Sequence, residues 1–144
     1  MRPNEVREEV QAQHRALRDL MTAARDAAVR VLYGDDDPAA NEVFQRSFTA
    51  LAVRFDAHMA FEEEHLVPLL TKGHAHGPVR RQRVHADHAR QRRLLQEIVR
   101  GFAEPPAGPR VQAALVRLLV TDLVDDMAFE DGILLREDAL WKTP

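Results

Sequence analysis

The chain has 144 residues, a mass of 16.4 kDa and a formal net charge of −3 at pH 7. With 45% hydrophobic and 30% charged residues, it can build a packed core and a solvated surface, which excludes an extended disordered chain. Its length suits a single domain over residues 1–144. The absence of cysteine excludes disulfides, thiolate-bound zinc, iron–sulfur clusters and thiol catalysis.

The charge and the hydropathy pattern indicate where the protein works. A net charge near zero gives no general attraction to nucleic acid or to anionic lipid. The first ten residues are charged and lack the apolar region of a signal peptide, and no apolar run approaches the ~20 residues of a membrane span. We therefore expect a cytoplasmic protein, monomeric or homodimeric, without nucleic-acid or membrane partners.

Three clusters of glycine and proline divide the chain into four segments with helical rather than strand periodicity. The segments span about residues 4–33, 39–71, 79–103 and 110–138. Pro68 lies inside the second segment and is expected to kink or end that helix early. Four long amphipathic segments joined by short loops predict an all-α, up-down-up-down four-helix bundle.

Apolar residues recur at three- and four-residue steps along each segment. The four stripes contain, in order, Val6, Val10, Leu17, Leu20, Ala24 and Val31; Phe44, Phe48, Leu51, Phe55, Leu66 and Leu69; Val84, Leu95, Ile98 and Phe102; and Leu115, Leu119 and Ile133. Every stripe is interrupted by imidazoles or carboxylates, namely His14, His58, Glu62, His88, Asp122, Asp126 and Glu130. A polar group on a buried stripe must find a partner, so these side chains are candidates for a shared site.

The two halves of the chain resemble each other. The sequence Met-Ala-Phe-Glu that ends at Glu62 recurs in the second half and ends at Glu130, and the segment from Val10 to His14 matches that from Val84 to His88. This repeat predicts two helical hairpins with their polar residues around a common axis. Such an arrangement suits a site for two metal ions.

The spacing of the polar residues is that of metal ligands. His58 and Glu62 are four residues apart, which places both side chains on one helix face one turn apart, and Asp126 and Glu130 have the same spacing. Imidazole combined with carboxylate suits iron, manganese or zinc, and helical bundles commonly hold such dinuclear sites in their cores.

These residues resemble those of the hemerythrin-like (HHE cation-binding) family, from about Val6 to Leu135. The similar parts are His14 in the first helix, the segment 58–68 in the second, His88 in the third and the segment 127–131 in the fourth. The resemblance implies a bundle that holds two non-haem iron ions with an exogenous oxo or hydroxo bridge, although manganese or zinc would suit the same ligands. It also implies that His14, His58 and His88 are terminal ligands and that Glu62 and Glu130 bridge the ions.

The chain departs from the family pattern on one side of this site. Asp126 stands where the family has histidine, so we expect it to be a terminal ligand. Oxygen-carrying members have a second histidine at the position of Val84, where the nearest imidazole is His85, and their last acid corresponds to Asp131. His85, Asp131 and Asp122, which precedes Asp126 by one turn, are therefore further candidate ligands. These departures count against an oxygen carrier more than against a metal site.

The remaining polar residues have plainer interpretations. His65 lies two turns from His58 and is expected either to support a ligand or to lie at the surface. His74 and His76 are expected in a solvated loop. Glu63, Glu64 and Asp125 are expected to be solvated, and the phenylalanines of the second segment are expected in the core.

Three functions remain open. The first is a di-iron protein that binds O2, NO or peroxide or stores iron; the second is a di-iron oxidase or oxygenase with a small substrate; the third is a zinc-bound or metal-free structural bundle. A carboxylate at Asp126 in place of a neutral imidazole adds an anion, which favours ferric iron and lowers the reduction potential. We therefore expect reaction with O2, NO or peroxide rather than simple O2 carriage.

Overall fold

The structure is a computed structural model that describes residues 1–73, 76–103 and 108–136, and these residues form four helical rods. The first rod is helix α1 (Pro3–Tyr33). The second begins as α2 (Pro38–Phe61), continues through a first π-helical segment (Glu62–Leu66) and ends as α3 (Val67–Gly73). The third is α4 (Gly77–Ala103), and the fourth is α5 (Gly108–Phe129) with a second π-helical segment (Glu130–Leu134). These bounds lie close to the predicted ones.

Local sequence explains where the helices begin. Asp37 caps α2 by accepting a hydrogen bond from the backbone N–H of Ala39 at 3.0 Å, and Pro38 occupies the first helical position, where no N–H is needed. At the start of α1, the Glu5 carboxylate accepts a hydrogen bond from the backbone N–H of Arg2 at 2.8 Å. Gly108 begins α5 with a φ of 68°, a conformation that favours glycine.

The rods pack in chain order around the bundle. Helix α1 packs against α2 and α5, and α4 packs against α3 and α5, so each rod touches the rods before and after it. The predicted all-α four-helix bundle is confirmed. None of the helices in the described part of the chain is both long enough and apolar enough to cross a bilayer.

The core consists of two apolar clusters. The larger lies among α1, α2, α4 and α5 and includes Phe44, Phe48, Leu51 and Phe55. The smaller comprises Val6, Val10, Leu66, Val67, Leu70, Val84, Leu134 and Leu135. On every rod at least one buried polar residue lies between the two clusters, as His14 does between Val10 and Leu17 and as Glu130 does between Met127 and Leu134. The polar residues therefore form a layer across the bundle with apolar side chains on both sides.

The π-helical segments correct two expectations. Pro68 was expected to kink or end the second helix, and it does not end it: a wider turn precedes it, in which the Val67 N–H donates to the carbonyl of Glu62, and α3 then continues to Gly73. Ile133 was expected in the core but is 43% exposed. The wider turn that begins at Glu130 changes the helical register, so Leu134 lies in the core instead.

Candidate metal centre

Five buried polar side chains meet in the layer between the two apolar clusters, and every rod contributes at least one. They are His14 on α1, His58 and Glu62 on the second rod, His88 on α4 and Glu130 on the fourth rod. None is more than 3% exposed. The structure thus brings together residues that lie far apart in the sequence and that were all candidate ligands.

The Glu62 carboxylate lies at the centre of this group. Its Oε1 is 3.1 Å from Nε2 of His58 and 3.7 Å from Nε2 of His14, and its Oε2 is 3.1 Å from Nε2 of His88. Burial alone would raise the pKa of Glu62, but the three imidazoles that contact it lower the pKa well below the usual value. Glu62 is therefore a buried carboxylate that stays charged.

Glu130 is the second buried carboxyl group of the layer. Its Oε2 lies 3.1 Å from Nε2 of His14. Burial raises the pKa of Glu130 well above its usual value, and the negative charges of Glu62 and Asp126 raise it further. Without a cation nearby, Glu130 therefore holds its proton to a higher pH than an ordinary carboxyl group does, because neighbouring carboxylates in one buried layer disfavour further ionisation.

The outer nitrogen of each histidine has a fixed partner 2.8 Å away. Nδ1 of His14 contacts Asp131, Nδ1 of His58 contacts the amide oxygen of Gln13, and Nδ1 of His88 contacts Glu63. Because all three partners are acceptors, each Nδ1 donates the hydrogen bond while Nε2 faces the layer. Proteins use such outer hydrogen bonds to orient metal-binding imidazoles.

Arginines neutralise the two acidic partners. Arg92 forms two hydrogen bonds with Glu63, of 2.7 and 3.1 Å, and Arg18 pairs with Asp131. The hydrogen bonds from Arg92 are the main reason that the pKa of Glu63 falls to about 2. The expectation that Glu63 is solvated was therefore wrong: its side chain is only 28% exposed because it lies between His88 and Arg92.

The sequence repeat is also a repeat of contacts. In each half an arginine follows the first-helix histidine by four residues, as Arg18 follows His14. The acid that orients each histidine belongs to the other half of the chain, where it directly follows Glu62 or Glu130. Hence Asp131 of the second half orients His14, and Glu63 of the first half orients His88.

Asp126 lies at the edge of the layer. Its Oδ2 accepts a hydrogen bond of 3.0 Å from Nε2 of Gln91. Burial raises the pKa of Asp126, and the charges of Asp87 and Glu62 raise it further, although the hydrogen bond from Gln91 opposes these effects. Asp126 therefore adjoins the layer, as a ligand of that side would.

The other candidate ligands occupy different places. His85 is exposed on α4, and Asp122 pairs with Arg90, with Nη2 and Oδ1 2.9 Å apart, at the surface. Asp131 contacts the outer nitrogen of His14 rather than the layer. His65 packs on Phe61, with ring centroids 4.6 Å apart.

The loop histidines do not join this layer where the structure describes them. His76 is exposed, and His74 lies outside the described residues.

Sequence reasoning did not single out several residues that support the layer. They are Gln13, Arg18, Glu63, Gln91 and Arg92. The repeat carried a signal for three of them, because Arg18 and Arg92 stand at matching positions four residues after a histidine and Glu63 stands at the position that matches Asp131. The two glutamines had no such signal, since their partners lie on other rods.

The residues present fit a metal ion. His14, His58, Glu62 and Glu130 each offer one ligand atom, and these four atoms all lie within 4.8 Å of one another. Nε2 of His14, Oε1 of Glu62 and Oε2 of Glu130 are buried and have no aligned hydrogen-bond partner in the described structure. Because unpaired buried polar atoms are costly, a cation among them would relieve this cost.

A cavity of about 280 Å³ lies between α1 and α2 beside this group. It is lined by small side chains such as Ala12, Ala16 and Ala57 and by His58 and Gln13. The cavity next to His58 is therefore large enough to hold a molecule bigger than a diatomic gas.

Comparison with known proteins agrees with the site. The model of the family described as hemerythrin HHE cation binding domain matches residues 6–137. No curated protein and no solved structure matches the chain. The matched segment contains all the residues of the buried layer.

Proposed function

The chain belongs to the hemerythrin HHE cation-binding domain family, and on that basis we propose a non-haem di-iron protein that reacts with O2, NO or peroxide rather than simply carrying O2. The observation that best supports this proposal is the group formed by His14, His58, Glu62 and Glu130, with ligand atoms within 4.8 Å of one another. Four buried donors of this chemistry suit iron, and also manganese or zinc.

The candidate ligands divide between two positions, one for each metal ion. We assign His14 and His58 to the first position and His88 and Asp126 to the second, with Glu62 and Glu130 shared between them. This division follows the repeat and the central place of Glu62, which contacts imidazoles of both positions. When bound, iron would supply the redox chemistry that binds and reduces O2 or peroxide.

The protein itself orients the ligands and excludes water. Asp131, Gln13 and Glu63 hold the three imidazoles in one tautomer, so that Nε2 faces the layer. The two apolar clusters cover both sides of the layer. Because the donor atoms are shielded from water, the local dielectric constant is low and electrostatic interactions within the site are stronger than at the surface.

The charges favour oxidised metal. Because Arg18 and Arg92 offset the charges of Asp131 and Glu63, the uncompensated anions are Glu62, Glu130 and Asp126. An anion at Asp126, where the family has histidine, stabilises a ferric ion more than a ferrous one. This preference supports electron transfer to O2 or peroxide over reversible O2 release.

The cavity beside His58 supports a second candidate, an oxidase or oxygenase that acts on a small organic molecule. Its volume of about 280 Å³ exceeds that needed for a diatomic ligand. Such an enzyme would use the same metal ligands, so the two candidates differ in whether an organic molecule is consumed.

Metal analysis and rapid mixing test the proposal. Protein purified after expression in iron-replete medium is expected to contain two irons per chain, and His58→Ala is expected to lose them, while His76→Ala serves as the control. The reduced protein, mixed with O2 in a stopped-flow spectrometer, is expected to oxidise irreversibly. Reversible O2 binding would indicate a carrier. If the purified parent protein contains no metal and its stability does not change when metal is added, the protein is a structural bundle.

A further inference from the structure

The two halves of the centre are not equivalent, and the difference involves two pairs of residues. Where the first half has His58, the second half has Asp126. Where α1 has Leu17, three residues after His14, α4 has Gln91, three residues after His88. Leu17 and Gln91 are both buried, at 2% and 0% exposure, so the second half has a buried polar side chain at the position where the first half has a buried apolar one.

Packing alone does not explain Gln91. Its Nε2 donates to Asp126, but its Oε1 is buried and has no hydrogen-bond donor among the described residues. An unpaired buried amide oxygen costs free energy, whereas the leucine at the matching position of the first half has no polar atom to satisfy. The Oε1 of Gln112 is unpaired in the same way, so the observation that singles out Gln91 is its hydrogen bond of 3.0 Å to Asp126 at the edge of the polar layer.

The donor atoms of the two positions differ in kind. The first position has two imidazoles, His14 and His58, together with the shared carboxylates. The second has the single imidazole of His88, the Asp126 carboxylate and the same shared carboxylates, and the Gln91 amide group lies against Asp126. Carboxylate and amide oxygens suit hard divalent cations such as Mn²⁺, while imidazoles suit Zn²⁺ and iron.

Building on the proposed function, we propose that Gln91 is part of the second metal position, where it holds Asp126 and offers its amide oxygen. This residue makes the second position richer in oxygen donors than the first, so the second position accepts a hard divalent cation more readily than the first does. When Zn²⁺ and Mn²⁺ are supplied one after the other, Zn²⁺ therefore takes the position at His14 and His58 and Mn²⁺ the position at His88, Asp126 and Gln91. When iron is the metal supplied, it fills both positions, as the proposed function requires.

A mixed-metal titration tests this assignment. Metal-free protein receives one equivalent of Zn²⁺ and is then titrated with Mn²⁺, whose free aqueous ion is followed by its EPR signal. We expect the parent to keep its Zn²⁺ and to bind one further Mn²⁺. In Gln91→Leu, which installs the residue of the matching position, Mn²⁺ affinity should fall about ten-fold or more while Zn²⁺ affinity changes less than about two-fold.

Two further variants control for the loss of a buried glutamine. Gln112→Leu removes another buried glutamine, near the start of α5 and outside the polar layer, and should leave both affinities unchanged. Gln91→Glu keeps an oxygen donor and should bind Mn²⁺ at least as tightly as the parent. This variant also tests the proposal if Gln91→Leu fails to fold.

The outcomes separate this inference from the proposed function. If Gln91→Leu binds Mn²⁺ as the parent does, if Gln91→Glu binds it more weakly, or if the parent binds two Zn²⁺ with equal affinity and no Mn²⁺, the inference is wrong but a dinuclear site remains. If the parent binds none of the metals, iron included, the proposed function fails as well.

Discussion

Nδ1 of His88 lies 2.8 Å from Oε1 of Glu63, and this contact joins the two halves of the chain across the bundle. Its counterpart joins Nδ1 of His14 to Asp131 at the same distance. Each half therefore orients an imidazole of the other half. Because His14 and His88 are each oriented from the other half, formation of the complete site depends on the assembly of the whole bundle.

The first prediction concerns this contact. Glu63→Gln keeps an acceptor for His88 but removes the charge and the ion pair with Arg92, so metal affinity is expected to fall about ten-fold. A competition titration with a metal indicator measures the change. The neighbouring variant Glu64→Gln is the matched control, since the side chain of Glu64 is 75% exposed. Equal losses in both variants would contradict a specific role for Glu63.

The second prediction concerns the central carboxylate. Glu62→Ala should abolish binding of both ions, because this side chain contacts imidazoles of both positions. It should also lower the free energy of unfolding of the metal-free protein by roughly 3–5 kcal/mol, the usual effect of breaking a buried ion pair. Metal analysis and urea unfolding measure the two effects. Unchanged metal content would remove Glu62 from the site.

The third prediction is a pH dependence of metal binding. Contacts with carboxylates raise the pKa of His14 and of His88 against the opposing effect of burial, and burial raises that of Glu130. These groups therefore hold protons in the metal-free protein to higher pH than usual, and a cation must displace them. We expect metal affinity to rise with pH between about 5 and 8 and binding to release protons.

Calorimetry measures this release when the titration is repeated in two buffers of different ionisation enthalpy. Identical heats in the two buffers would contradict the prediction, because no protons would then be transferred to the buffer.

The fourth prediction concerns the loop. His76→Ala should leave metal content and melting temperature nearly unchanged, because His76 is exposed. We expect the same of His74→Ala, where the interpretation rests on the sequence. Loss of half the bound metal in either variant would place the loop in the site.

The fifth prediction concerns Asp126. Asp126→His replaces an anion by a neutral imidazole, so two irons should still bind and the reduced protein should oxidise more slowly in air. Asp126→Ala should instead weaken one ion more than the other. Metal stoichiometry and the half-time of air oxidation are compared with those of the parent. If neither variant changes these quantities, Asp126 is not a ligand.

The sequence by itself determined the bundle and the residues of the buried layer. Helical periodicity depends on neighbours three and four residues apart, so the apolar stripes and their polar interruptions can be read along a single rod. His14, His58, Glu62, His88 and Glu130 interrupt those stripes, and all five are buried.

Only the tertiary structure decided what surrounds that layer. His14 and its partner Asp131 are 117 residues apart, and Gln91 and Asp126 lie on different helices, so no local pattern could pair them. The burial of Leu134 in place of Ile133 also required the structure, because a π-helical turn changes which side of the rod each later residue faces. Contacts between rods depend on how the helices pack, and periodicity along one helix carries no information about them.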